Sequence, residues 1–194
     1  MRSNYTIPTC LLLALLTASC DLLKTRDPQP PDQGNTANQQ ATSPQMVIDN
    51  LQSSFANKNV NDYEALFADV AFVGRTYVFV PTQEAQGNYS AIFSQWTIES
   101  ELNYFRKAVA SVSVAFTPAV SFSNYVITPF QSDSELYEAD YSVFLAPTTY
   151  SGHARFSLLP NKNTGIWYIY RWEDVQTTNS PTLSWSDLKG QFSQ

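Results

Sequence analysis

The stretch from Glu135 to Val175 restricts this chain to a small set of folds. Over Glu135–Leu145, the residues Tyr137, Ala139, Tyr141, Val143 and Leu145 fall on one side, and Glu138, Asp140 and Ser142 on the other. Residues 150–159 repeat the pattern, with Ala154, Phe156 and Leu158 opposite His153, Arg155 and Ser157. Gly165–Val175 adds an aromatic strand containing Trp167, Tyr168, Tyr170 and Trp172. A period of two marks strands buried on one face only. Asn161–Gly165 reads as a hairpin loop, and short connections of this kind pair neighbouring strands antiparallel. Ser111–Ile127 alternates in the same way through Val112, Val114, Phe116, Val120 and Phe122, with Thr117-Pro118 as a break. Four long strands in a meander leave one apolar face that other elements must cover.

The earlier chain supplies the cover. Ser43 is a good N-cap and Pro44 suits a first helical position, after which Val47, Ile48, Leu51 and Phe55 recur at helical spacing. A second helix is expected from Asn61, with Glu64 completing a capping box and Leu66 and Phe67 on its buried side. Thr97 caps a third, with Glu99 and Glu101 in its first turn and Leu102, Phe105 and Val109 inward. Between them, Val70–Val73 and Thr76–Val80 read as one strand bent at Gly74, Gly87-Asn88 as a turn and Ile92-Phe93 as a short strand. Ser184–Leu188 adds a helical turn that Phe192 pins to the body. The expected class is α+β: a curved antiparallel sheet of about five to six strands wrapped around three N-terminal-side helices, over residues 44–194.

The first 43 residues have another character. Residues 1–19 read as a signal peptide: Arg2, an apolar run from Ile7 to Leu16, then small residues. Leu15-Leu16-Thr17-Ala18-Ser19-Cys20 resembles the lipobox of bacterial lipoproteins, with Leu16 one place early. That resemblance implies lipidation of Cys20 and an extracytoplasmic domain tethered to a membrane of a bacterial cell envelope. Removing the signal takes Cys10 with it and leaves Cys20 as the sole cysteine, so no internal disulfide is expected. Residues 20–43 are rich in Pro, Gln and Asn and read as a flexible tether. The net charge of −6 without Lys/Arg clusters argues against nucleic acid as a partner.

Three further stretches carry a resemblance that covers about residues 44–192. Tyr63-Glu64-Ala65-Leu66-Phe67-Ala68-Asp69 leading into Val70–Val73, Trp96-Thr97 before the third helix, and Gly165–Asp174 as the last strand are similar to the cone fold of the nuclear transport factor 2-like superfamily. The last two also resemble bacterial lipoproteins that carry such a domain without assigned activity. The resemblance implies a cystatin-like α+β roll. Enzymes of that superfamily use a His/Asp or Tyr/Asp constellation for proton transfer.

The chain has one histidine, His153. It would be a general base with Asp140 as its orienter if their strands pair face to face, and Arg155 would then stand ready for an anion. The plainer account is a half-exposed strand histidine. Tyr168, Tyr170 and Trp172, at period two, and Tyr141 either line an apolar pocket or fill the core. No metal-ligand spacing, glycine-rich phosphate loop or nucleophile elbow is present, so no metal or cofactor is expected. The expectation is a non-catalytic domain that binds a small apolar ligand or an envelope protein. The alternatives are an isomerase, dehydratase or hydrolase using His153 with Asp140, or a structural protein with a filled cone, dimeric through its sheet face.

Overall fold

A computed structural model describes residues 39–175 and 182–194. The expected signal peptide, Cys20 and the expected tether up to residue 38 lie outside the described residues. Residues 39–43, expected to end a flexible tether, belong to the body instead: the Ala41 carbonyl accepts the Trp167 N–H at 2.7 Å, and the Gln39 carbonyl accepts the Asn50 side-chain amide at 2.7 Å.

Helix α1 (Pro44–Asn57) begins where the Ser43 hydroxyl accepts the Met46 N–H, and it buries Val47, Ile48, Leu51 and Phe55. Lys58 ends it in the left-handed region, which leaves Asn59 extended and able to cap α2 (Val60–Glu64). Asn59 therefore takes the cap expected of Asn61, accepting from the backbone N–H groups of Asn61 and Asp62. The segment expected to open a bent strand is instead one helical turn, α3 (Val70–Val73). The Asp69 side chain caps it, and Gly74, at φ 70°, closes it in a conformation that favours glycine.

Strand β1 (Val78–Val80) is short, and two short helices, α4 (Gln83–Asn88) and α5 (Ser90–Phe93), replace the expected turn and short strand. Thr82 supplies the cap that starts α4. Helix α6 (Ile98–Ala110) starts at a capping box between Thr97 and Ser100 and buries Leu102, Tyr104, Phe105, Ala108 and Val109.

Strands β2 (Ala119–Phe130), β3 (Ser134–Leu145), β4 (Thr148–Pro160) and β5 (Trp167–Val175) form the antiparallel meander. The strand expected from Ser111 starts only at Ala119. Before it the chain makes turns, one closed by Phe116 N–H on the Ser113 carbonyl, and the Lys58 ammonium holds that same carbonyl at 2.7 Å. The sheet order is β1-β5-β4-β3-β2, and β1 pairs parallel with β5, so the five-stranded open sheet is mixed rather than purely antiparallel. Parallel pairing requires a long crossover between β1 and β5, and α4–α6 with the meander provide it.

Helix α7 (Trp185–Gln191) closes the chain behind a Ser184–Asp187 capping box. The inward face of the sheet meets α1, α2, α6 and α7 in one aromatic core. Trp172, Trp185, Tyr63, Tyr104, Tyr137, Phe55, Phe105 and Phe156 are among its largest fully buried side chains.

Candidate functional site

The space between sheet and helices is filled. Trp185 stands at its centre, edge-on to Trp172 at 4.5 Å, Tyr141 at 5.2 Å and Phe55 at 5.5 Å. Its indole N–H donates to Tyr104 Oη at 2.9 Å. Tyr63 stacks on Phe105 at 3.9 Å.

Beside these rings lies a buried ion pair. Glu101 (on α6) receives the Lys189 ammonium (on α7) at 2.8 and 2.9 Å on its two oxygens. It also accepts Tyr63 Oη at 2.6 Å, Tyr77 Oη at 2.9 Å and the Trp96 indole N–H at 2.8 Å. A carboxylate offers about four lone-pair sites. All are committed, so Glu101 has no oxygen left to take a proton from a substrate. The Lys189 ammonium completes its shell with the ring faces of Phe79 and Trp172, each 3.6 Å away. Burial draws its pKa down to about 8 against the opposing pull of Glu101. Burial, then the charge of Glu101, raises the phenols of Tyr63 and Tyr77 well above their ordinary value.

A second buried carboxylate fixes α7 to β5. Asp174 accepts Tyr141 Oη at 2.7 Å and both the backbone N–H and the hydroxyl of Ser186, at 2.6 and 2.5 Å. Tyr141 Oη in turn accepts the Trp185 backbone N–H at 2.7 Å. Burial raises the Asp174 pKa despite these bonds, and it raises that of Tyr141 as well.

The expected acid–base pair lies on the opposite face of the sheet. His153 and Asp140 are cross-strand partners, and Nδ1 lies 2.9 Å from Oδ1. The Asn124 amide donates to the other Asp140 oxygen at 2.9 Å, and this bond, then that of His153, lowers the Asp140 pKa. Arg155 is occupied: its Nε lies 2.8 Å from Glu138, and a further nitrogen lies 3.5 Å from Glu173, which also holds Arg171 at 2.6 Å. An anion at Arg155 would have to displace two carboxylates.

The aromatic strand does not present one face. A bulge in the β4–β5 register passes from Ser157↔Arg171 to Leu158↔Ile169, leaving Tyr170 as the extra residue. Ile169 and Trp172 both enter the main core as a result. Tyr170 joins Ala68 and Leu159 in a separate cluster, with Tyr168 packed against it. Trp172 and Tyr141 are core residues, and of the expected pocket aromatics Tyr168 is the one that borders the principal cleft.

That cleft, of about 640 Å³, opens beside α2, α3 and the start of α6. Phe67, Tyr77, Leu102, Ile98 and Tyr168 line it, with the exposed Val70 and Phe72 at its border. Its charged lining residues are Glu64, Asp69 and Glu99, and His153 is not part of it. Tyr77 links cleft to core, since it lines the one and its hydroxyl binds Glu101 in the other. Local sequence patterns could not have assembled this group, although Trp185 and Lys189 stand four apart on one helix face, the one local sign that Lys189 points inward. Among the described residues no three His, Cys, Asp or Glu side chains gather as a metal site, and no helix is long and apolar enough to cross a membrane.

Element order, a sheet covered on one face by helices, and the filled space beneath them define a cystatin-like, NTF2-like α+β fold. Comparisons with solved structures agree. A candidate dehydratase of the NTF2-like family from Streptomyces avermitilis superposes with a TM-score of 0.52 at 8% identity, over 69% of this chain and 92% of that one. A candidate aromatic ring hydroxylase from Novosphingobium aromaticivorans gives 0.51 at 14% identity, over 75% and 92%. A protein of unknown function with a cystatin-like fold from Nostoc punctiforme gives 0.47 at 15% identity, over 71% and 90%. No protein-family model and no curated protein matches the sequence. The two superpositions above 0.5 bear on the fold alone, and at identities this low not on the activity.

Proposed function

We propose that this chain is a non-catalytic binding module of a bacterial envelope, lipid-anchored through Cys20, which takes a small apolar ligand in the cleft bounded by Phe67, Tyr77, Leu102 and Tyr168. One observation carries the reading: the interior is packed with rings and a saturated ion pair, while about 640 Å³ of largely apolar space lies outside it. Small-molecule sites commonly enclose roughly 300–1,000 Å³. The exposed Val70 and Phe72 add apolar surface that a ligand would cover.

The test is native mass spectrometry of the full chain purified from a bacterial envelope, alongside Ala65→Trp. Ala65 is an exposed lining residue, so the indole would fill the cleft without entering the core. A ligand carried by the parent chain and lost from Ala65→Trp supports the reading; an unliganded chain, or a ligand kept by the variant, opposes it. The anchor rests on the Leu15–Cys20 stretch, and it fails if Cys20→Ala leaves the protein in the membrane fraction.

A second reading, an enzyme of isomerase, dehydratase or hydrolase type, has the 2.9 Å His153–Asp140 contact in its favour. It would work on the sheet face away from the packed interior, where both side chains are part-exposed among the described residues. A dimer through that same face would have to bury the Glu138–Arg155–Glu173–Arg171 charge ladder.

A further inference from the structure

The chemistry of the occupant can be narrowed from the cleft itself. We propose that it takes an organic cation, a molecule with an apolar body and an ammonium group. The proposal rests on the reading of the cleft as a ligand site.

Three carboxylates border the cleft, from Glu64, Asp69 and Glu99, and among the described residues no Lys, Arg or His lines it. Among the described residues, two cations on neighbouring elements are committed elsewhere. Arg75 lies over the Tyr170 ring and pairs with Asp133, and Lys189 is held by Glu101. An acidic rim without a neighbouring described cation favours a positively charged ligand over a neutral or anionic one of the same size. The walls suit an organic cation over an inorganic one: Phe67, Phe72, Tyr77 and Tyr168 line the cleft with aromatic and apolar groups, which suit an ammonium with an apolar body.

The three acids are not equal. Glu99 sits in the first turn of α6, where the helix dipole already favours a negative charge, and Asp69 uses one oxygen to cap the Ala71 N–H at 2.7 Å. Glu64 has neither role and is the acid whose removal should report most cleanly. An anionic amphiphile of equal size would meet the same apolar walls with three like charges and bind more weakly.

The experiment is calorimetric titration of the full chain with three probes of one chain length: hexyltrimethylammonium, 1-hexanol and hexanoate. The expected order is cation, alcohol, anion, with the cation at least about tenfold tighter than hexanoate at low salt and the gap narrowing as salt rises. Glu64→Gln with Glu99→Gln should reduce the preference several-fold while 1-hexanol affinity stays the same, and Ala65→Trp should abolish binding of all three. Equal binding of cation and anion, or a preference untouched by the double substitution, overturns the proposal while leaving an apolar site in place. Failure of all three probes overturns the site reading too.

Discussion

Lys189 Nζ lies 2.8 Å from one carboxylate oxygen of Glu101 and 2.9 Å from the other, and neither side chain is exposed to solvent. The pair joins α7, the last element, to α6, 88 residues earlier. Removing one partner of a buried pair leaves the other charge uncompensated, at a cost of about 3–5 kcal/mol. Lys189→Met should therefore destabilise by that order, moderated by the Tyr63, Tyr77 and Trp96 donors that Glu101 keeps. Adding Glu101→Gln should recover more than half of the loss. A double-mutant cycle from denaturant unfolding measures the coupling, and additive losses would contradict it.

The same pair sets a pH dependence. Lys189 titrates near 8 in the fold against 10.5 ordinarily, so between these values the unfolded chain holds the extra proton. Stability must then rise with pH across that window on account of Lys189. Above about pH 10 the buried Tyr63, Tyr77 and Tyr104 oppose it, because their raised values keep protons that the unfolded chain releases. The stability difference between parent and Lys189→Met should shift in favour of the parent from pH 8 to 10, read from thermal melts in matched buffers.

Two tryptophans of similar burial should respond differently to substitution. Trp185 donates its indole N–H to Tyr104 at 2.9 Å, whereas the buried Trp172 N–H has no hydrogen-bond partner among the described residues. Trp185→Phe loses ring volume and a bond; Trp172→Phe loses ring volume and an orphaned donor. Leaving a buried donor unpaired costs about 1–3 kcal/mol, so Trp172→Phe should be the milder change by about 1 kcal/mol or more. Urea unfolding of both variants decides the order.

Gly152 faces Tyr141 across the β3–β4 pair, and a Cβ there would meet Tyr141 Oη at 2.6 Å. That hydroxyl binds both Asp174 and the Trp185 N–H, so it cannot retreat without breaking the α7 contact. Gly152→Ala should cost about 1–3 kcal/mol, in the range of overpacking, and His153→Ala next door much less. Equal melting temperatures for the two would contradict the packing described.

These features divide into those a local pattern can reveal and those it cannot. The alternation through Tyr137–Leu145 and Ala154–Leu158 shows which side chains go inward, and the structure buries those positions. Ser43 and Thr97 mark helix starts because capping is a matter of a few residues. Val70–Val73 misleads because a β-branched, aromatic run looks like a strand until the Asp69 cap and Gly74 stop are weighed together. The bulge at Tyr170 moves Trp172 onto the face of Ile169, and a single inserted residue in a ladder leaves no signature in hydropathy. Glu101 reads as an ordinary first-turn acid, since its partners come from Tyr63, Tyr77 and Lys189 at long separations. Alternation places His153 and Asp140 on the same outer face, and the short Ala146-Pro147 connection sets the register that makes them opposite.

The central claim is that ligand enters the outer cleft and not the packed interior. Solution NMR of the full chain titrated with 1-hexanol tests this most directly. The account predicts shifts at the backbone amides of Phe67, Tyr77 and Leu102, with the indole N–H resonances of Trp172 and Trp185 unmoved. Shifts concentrated at those two indoles, with the cleft amides silent, would contradict it.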